Sequence, residues 1–176
     1  MKFVQAVNYT KLGRKRTIRY VVLHSMESQE TDATAENVAA WFASDKAPQA
    51  SAHYCVDRES VIQCVDDNDV AWHAPGLNSL SIGIEMAGRA SQTAAEWDDP
   101  YSFQMMNLAA ALVANLCKKY DIPVRAVGPS GLLMDMPGIT THAAVSEAFK
   151  KSTHWDPGPN FPLNKFIDTV RGMSGD

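Results

Sequence analysis

The chain has 176 residues, 45% of them hydrophobic, with four Trp, five Tyr and six Phe. That suits one domain, 1–176, around a sizeable core, and excludes a disordered chain. The net charge of -4 gives no overall pull toward nucleic acid or an anionic membrane.

The total conceals a split. Residues 1–20 carry six basic residues (Lys2, Lys11, Arg14, Lys15, Arg16, Arg19) and no acid, while the rest carries ten basic and 20 acidic residues. The start therefore reads as a basic arm, either a solvated surface segment or a contact for an anionic polymer. It has charge but no apolar stretch and no small-residue cleavage site, so it does not read as a secretory signal. The longest apolar run, Leu108–Cys117, is short for a membrane span and contains Asn115. The expectation is synthesis as a soluble cytoplasmic protein.

Thr17–His24 (TIRYVVLH) predicts a buried strand ending on a histidine. Ala35–Ser44 predicts a helix with Val38, Trp41 and Phe42 on one face and Thr34 or Asp32 as cap. Ser51–Val65 predicts a hairpin about the polar turn Asp57–Ser60. Ser81–Met86 (SIGIEM) reads as a central strand that ends at Gly88. Tyr101–Tyr120, preceded by Pro100, is the longest helix, with Leu108, Leu112, Val113 and Leu116 as its buried face.

Pro123–Val127 suggests another strand, and the turn-rich Gly128–Gly138 a surface loop bearing Leu132, Leu133, Met134 and Met136. Ala144–Lys151 suggests a short helix. Trp155–Pro162 (WDPGPNFP) is neither helix nor inner strand, since its prolines lack amide donors. A last helix carries Leu163, Phe166, Ile167 and Val170 on one face, with Gly172 as its stop. The order of elements is that of a mixed α/β fold with a central sheet.

Cys55, Cys64 and Cys117 match neither a disulfide framework nor a zinc knuckle and read as small buried hydrophobes. The five histidines carry more information. His24 and His142 each close an apolar, extended stretch, and Asp156 sits in a rigid proline turn. A hydrolytic zinc site needs three such ligands and one open position. Glu85 lies inside an apolar strand, where a carboxylate is costly unless paired or functional. Taken alone, each has a structural alternative. GxSxG, P-loop and GxGxxG motifs are absent.

Five segments together carry a resemblance: VVLHSME (21–27), SAHYCVDR (51–58), VAWHAPGLNSLSIGIEMAG (70–88), ITTHAAVS (139–146) and HWDPGPNFP (154–162). In this order they resemble the zinc-dependent N-acetylmuramoyl-L-alanine amidases of the phage-lysozyme and peptidoglycan-recognition-protein type. The resemblance implies a sheet of about five to six strands flanked by helices. It implies Zn²⁺ held by His24, His142 and Asp156, with Glu85 activating the attacking water. Other members use a Tyr before the His of the first hairpin strand. Ala52 stands there, which leaves Glu85 as the base. Many members carry Lys where His154 stands. His154 is then an oxyanion partner, or a competitor of Asp156 for the metal.

Trp72 and His73 match positions lining the substrate groove, and His53 a structural position near the metal. The gap between His142 and Asp156 reads as a loop insertion around Glu147–Lys151. The implied partner is bacterial peptidoglycan, the state a monomer, and the role that of a phage endolysin reaching the wall after release from the host cytoplasm. The alternatives are a cytoplasmic muropeptide-recycling amidase, a peptide-cleaving metallohydrolase and a non-catalytic wall-binding module.

Overall fold

Tyr20–Ser25 is buried at every position, as a strand covered on both faces requires. It is β3 of the computed structural model, which describes residues 1–13 and 15–175. In chain order the elements are β1 (Lys2–Phe3), β2 (Tyr9–Thr10), β3, α1 (Thr34–Phe42), β4 (Tyr54–Val56), β5 (Val61–Gln63), β6 (Val70–Ala71), β7 (Ser81–Met86), α2 (Ala94–Trp97), α3 (Pro100–Tyr120), α4 (Pro129–Leu133), β8 (Gly138–Thr141), α5 (His142–Phe149) and α6 (Leu163–Ser174).

Six strands form one mixed sheet in the order β1-β5-β4-β7-β3-β8, and β2 pairs with β6 apart from it. Only β4 and β5, joined by the expected hairpin, run antiparallel in the main sheet. Alternation sorts the side chains between two layers. Val21, Leu23, Ile82, Ile84 and Met86 meet α3 and α6 on one face. On the other face, Cys55 and Ile62 pack under α1, and Tyr20 and Val22 pack with Leu132 and Val145. The second face carries the chemistry. His24 and Glu85 are direct register partners across β3 and β7, so both emerge on it, side by side.

Several expectations are corrected. The first 20 residues are not a free arm. β1 adds a parallel strand to β5, and Arg16 turns inward to donate to the carbonyls of Asp67 and Ser81, each at 2.8 Å. Arg19 pairs with Asp135. Lys2, Lys11 and Lys15 stay at the surface, and Arg14 lies outside the described residues. Pro123–Val127 forms no strand. Pro123 lacks an amide, the chain turns there, and only a single bridge joins Ala126 to Ile139. The segment 128–138 is partly α4, with Leu132 buried and Leu133 and Met134 exposed.

In α1, Ala33 takes the cap position and Ala35, Ala39 and Phe42 face inward, while Trp41 is 48% exposed. The buried face of α3 centres on Met105, Ala109, Ala110 and Val113, with Leu108 and Leu112 at its margin. Helix α5 starts at His142, capped by the Thr141 hydroxyl, and reaches Phe149, so the added length between His142 and Asp156 is largely helix. Helix α6 runs through Gly172 to Ser174, and Gly175 supplies the left-handed stop. All three cysteines are free and buried. Among the described residues, no helix is long and apolar enough to cross a membrane.

Candidate metal centre and active site

Three side chains converge at the ends of β3 and β8. His24 is the fifth residue of β3. His142 opens α5 directly after β8. Asp156 is brought in by the proline loop, whose position is fixed twice. The Asp156 carbonyl accepts the Ala143 amide at 3.0 Å. Gly158, at φ +92°, passes so close to Ala90 that a Cβ would lie 1.9 Å from that residue's carbonyl oxygen.

The resulting cluster is dry and directional. His24, His142 and Asp156 are 2%, 4% and 6% exposed, and their ligand atoms lie within 4.8 Å of one another. His24 Nδ1 is 3.0 Å from Asp156 Oδ2, and His142 Nδ1 is 3.2 Å from Asp156 Oδ1. Each ring's other nitrogen faces a protein group: His24 Nε2 faces His73 Nδ1 at 3.0 Å, and His142 Nε2 faces Ser152 Oγ at 3.4 Å.

Burial favours a protonated Asp156, but the imidazoles of His142 and His24 that face it outweigh this and hold the carboxyl below its usual range. Burial also lowers His24 and His73, leaving neutral imidazoles. The imidazoles of His24 and His142 with the carboxylate of Asp156 form a donor set suited to zinc, which takes nitrogen and oxygen ligands.

Glu85 stands beside this cluster with Oε2 sealed from solvent and without a hydrogen-bond partner. Burial first, then the charges of Asp156 and Glu27, push its carboxyl well above the usual range. Glu27 is itself fixed: its Oε1 accepts from Ser25 Oγ and the Ala90 amide, each at 2.7 Å. Three acids thus crowd one site, and no Lys or Arg lines it among the described residues. A bound cation relieves this repulsion. An orphaned carboxylate oxygen and two aimed imidazole nitrogens therefore fit a metal.

The cluster opens into a cavity of about 430 Å³, walled further by Trp41, Pro48, Trp72 and His154. His154 is at the rim, its side chain 67% exposed, stacked on His142 at 4.6 Å between ring centroids, with Nδ1 3.6 Å from Asp156 Oδ1. Trp72 donates from its indole to Thr10 Oγ at 2.9 Å. His73 borders the cavity but is 7% exposed. His53 is fully buried, with Nδ1 accepting the Gly83 amide at 3.0 Å and Nε2 2.8 Å from Arg16. Sequence reasoning placed no weight on Glu27, Trp41 or Ser152 at the site. Only the VVLHSME segment hinted at the first.

The profile of the family described as N-acetylmuramoyl-L-alanine amidase (Amidase_2) matches residues 14–159. The chain is 28% identical to N-acetylmuramoyl-L-alanine amidase A of Achromobacter lyticus over 88% of this chain and 84% of the relative. It is 30% identical to the amidase CwlL of Bacillus licheniformis over 71% of this chain, but spans only 37% of that protein. Among solved structures, the hydrolase AmiA of Staphylococcus aureus, crystallised with its ligand, superposes with a TM-score of 0.72 at 17% identity. That likeness covers 98% of this chain and 82% of AmiA. A mutant endolysin from Bacillus subtilis gives 0.62 at 19% identity, covering 98% and 99%.

Proposed function

The chain belongs to the N-acetylmuramoyl-L-alanine amidase family, and on that premise we propose that it is a zinc-dependent enzyme of peptidoglycan breakdown. It hydrolyses the amide between the lactyl carbonyl of N-acetylmuramic acid and the amine of L-alanine. The observation that carries the reading is the buried His24–His142–Asp156 cluster beside the partnerless Glu85, open to a cavity.

His24, His142 and Asp156 hold the metal. When bound, zinc supplies Lewis acidity to the scissile carbonyl and to the attacking water. Glu85 takes the proton released as water adds to the carbonyl carbon. It then returns that proton to the alanine nitrogen as the C–N bond breaks. A carboxylate raised by burial suits both halves of this transfer. His154, at the solvent side, donates to the oxygen of the tetrahedral intermediate. Trp72, with His73 behind it, forms the groove wall for the muramyl peptide.

The biological role we favour is that of a monomeric phage endolysin acting on the wall after release from the host cytoplasm. An endolysin is among the solved structures that share the fold. Two measurements test the proposal. Elemental analysis is expected to give one zinc per chain, and digestion of sacculi is expected to release free peptide stems. A zinc-free protein that binds wall and releases nothing overturns the enzymatic reading. A strong preference for soluble anhydro-muropeptides over intact sacculi overturns the endolysin role.

A further inference from the structure

One face of β7 reads Ser81, Gly83, Glu85. Glu85 faces the cavity. The ring of His73 lies over Gly83, where a Cβ would fall 2.5 Å from the His73 Cγ. Ser81 Oγ is 3.1 Å from His73 Nε2 and donates to the Leu77 carbonyl at 2.8 Å. The turn carrying His73 is closed by Asn78, whose Oδ1 accepts the amides of His73 and Ala74. The ring is therefore held from below, from its far nitrogen and from its own backbone.

These contacts have a fixed polarity. A carbonyl accepts only, so the single Ser81 proton points at Leu77. The Ser81 oxygen must then accept, which places the proton of a neutral His73 on Nε2. His73 Nδ1 is left as a bare acceptor, and at 3.0 Å it faces His24 Nε2. That nitrogen must carry the proton, which leaves His24 Nδ1 as the lone pair turned toward Asp156.

We propose that His73 is a positioning residue: through the Leu77–Ser81–His73 chain it fixes the tautomer and ring angle of His24, so that Nδ1 is presented to the metal. The two rings cross at 80°, an edge contact consistent with one N–H aimed at one lone pair. With both nitrogens engaged, His73 acts through His24 rather than on the substrate. The proposal rests on the zinc reading above, and its tests keep the two separable.

In ¹⁵N-histidine NMR of the metal-free protein, His73 is expected as the Nε2–H tautomer. This readout does not depend on zinc, and finding His73 protonated on Nδ1 overturns the proposal. Zinc affinity is then measured by competition with a chromophoric chelator. The variant His73→Ala is expected to bind zinc about 10–100-fold more weakly, the usual effect of removing a partner that orients a ligand. His73→Asn keeps an acceptor near the position of Nδ1, whereas His73→Gln extends its amide toward the position of Nε2. The Asn variant is expected to bind zinc about tenfold or more tightly than the Gln variant. Equal affinity of the Asn and Gln variants, or native affinity in His73→Ala, overturns the proposal even if the unmodified protein binds zinc and hydrolyses peptidoglycan. The Asn and Gln pair decides the matter should His73→Ala fail to fold.

Discussion

His24 and His53 are both buried histidines at the same sheet, yet their neighbours make them different chemical objects. His24 sits beside the carboxylate of Asp156 and keeps one nitrogen for a ligand. His53 sits beside the guanidinium of Arg16, and its Nδ1 lone pair is spent on the Gly83 amide. Burial, with the Arg16 charge added to it, pushes the His53 imidazole down to about 3. A cation already occupies the place where a metal would approach. Burial alone thus does not make a ligand. A nearby negative charge and an uncommitted lone pair do.

The sharpest way to break this comparison is to remove the imidazole that faces the acid. His24→Ala is expected to abolish zinc binding and turnover, read by elemental analysis and stem-peptide release. Retained stoichiometric zinc would remove His24 from the ligand set. Next in size, Glu85→Gln is expected to keep zinc and lose about 10²–10⁴-fold in kcat, the usual worth of a general acid–base group. Full turnover would take Glu85 out of the mechanism.

A smaller effect is expected on the other side. Arg16→Met strands the Asp67 and Ser81 carbonyls and should cost about 1–3 kcal/mol in denaturant unfolding. Zinc stoichiometry should remain unchanged. Loss of zinc in the folded variant would show that the two histidine environments are not independent.

The smallest effect is in pH. His53 binds a proton in the unfolded chain below about 6.5 and in the folded protein only near 3. Its contribution is therefore intact above 6.5 and is lost as pH falls through that window. The slope from this one group is at most about 1.4 kcal/mol per pH unit. Between pH 6.5 and 4, unfolding midpoints of His53→Gln should depend less on pH than those of the unmodified protein. An identical pH dependence would assign the acid sensitivity to other groups.

The same contrast explains what could be read from the sequence. Strand β7 coincides with Ser81–Met86 because a short apolar run bounded by turns is a strong local signal. The hairpin, α3 and the proline loop were legible for similar local reasons. The two-residue strands β1, β2 and β6 were not, since alternation needs length to show. Arg16 looked like a surface charge because its acceptors lie 51 to 65 residues away. At the site, His24, Glu85, His142 and Asp156 were named through the resemblance, and the fold brings all four together. The contact between His24 and His73, 49 residues apart, had no local signature. Nor did the place of Trp41 of α1 on the cavity wall.

The pairing of His24 with Glu85 across β3 and β7 also constrains which changes of length the gene can tolerate. A single-residue insertion within either strand turns the following side chains to the opposite face and separates donor from acid. Insertions in the turn at 57–60 leave that alignment untouched. Retention of the metal in a library of one-residue insertions would therefore map the sheet residue by residue, marking the stretches that must be counted and those that need only connect.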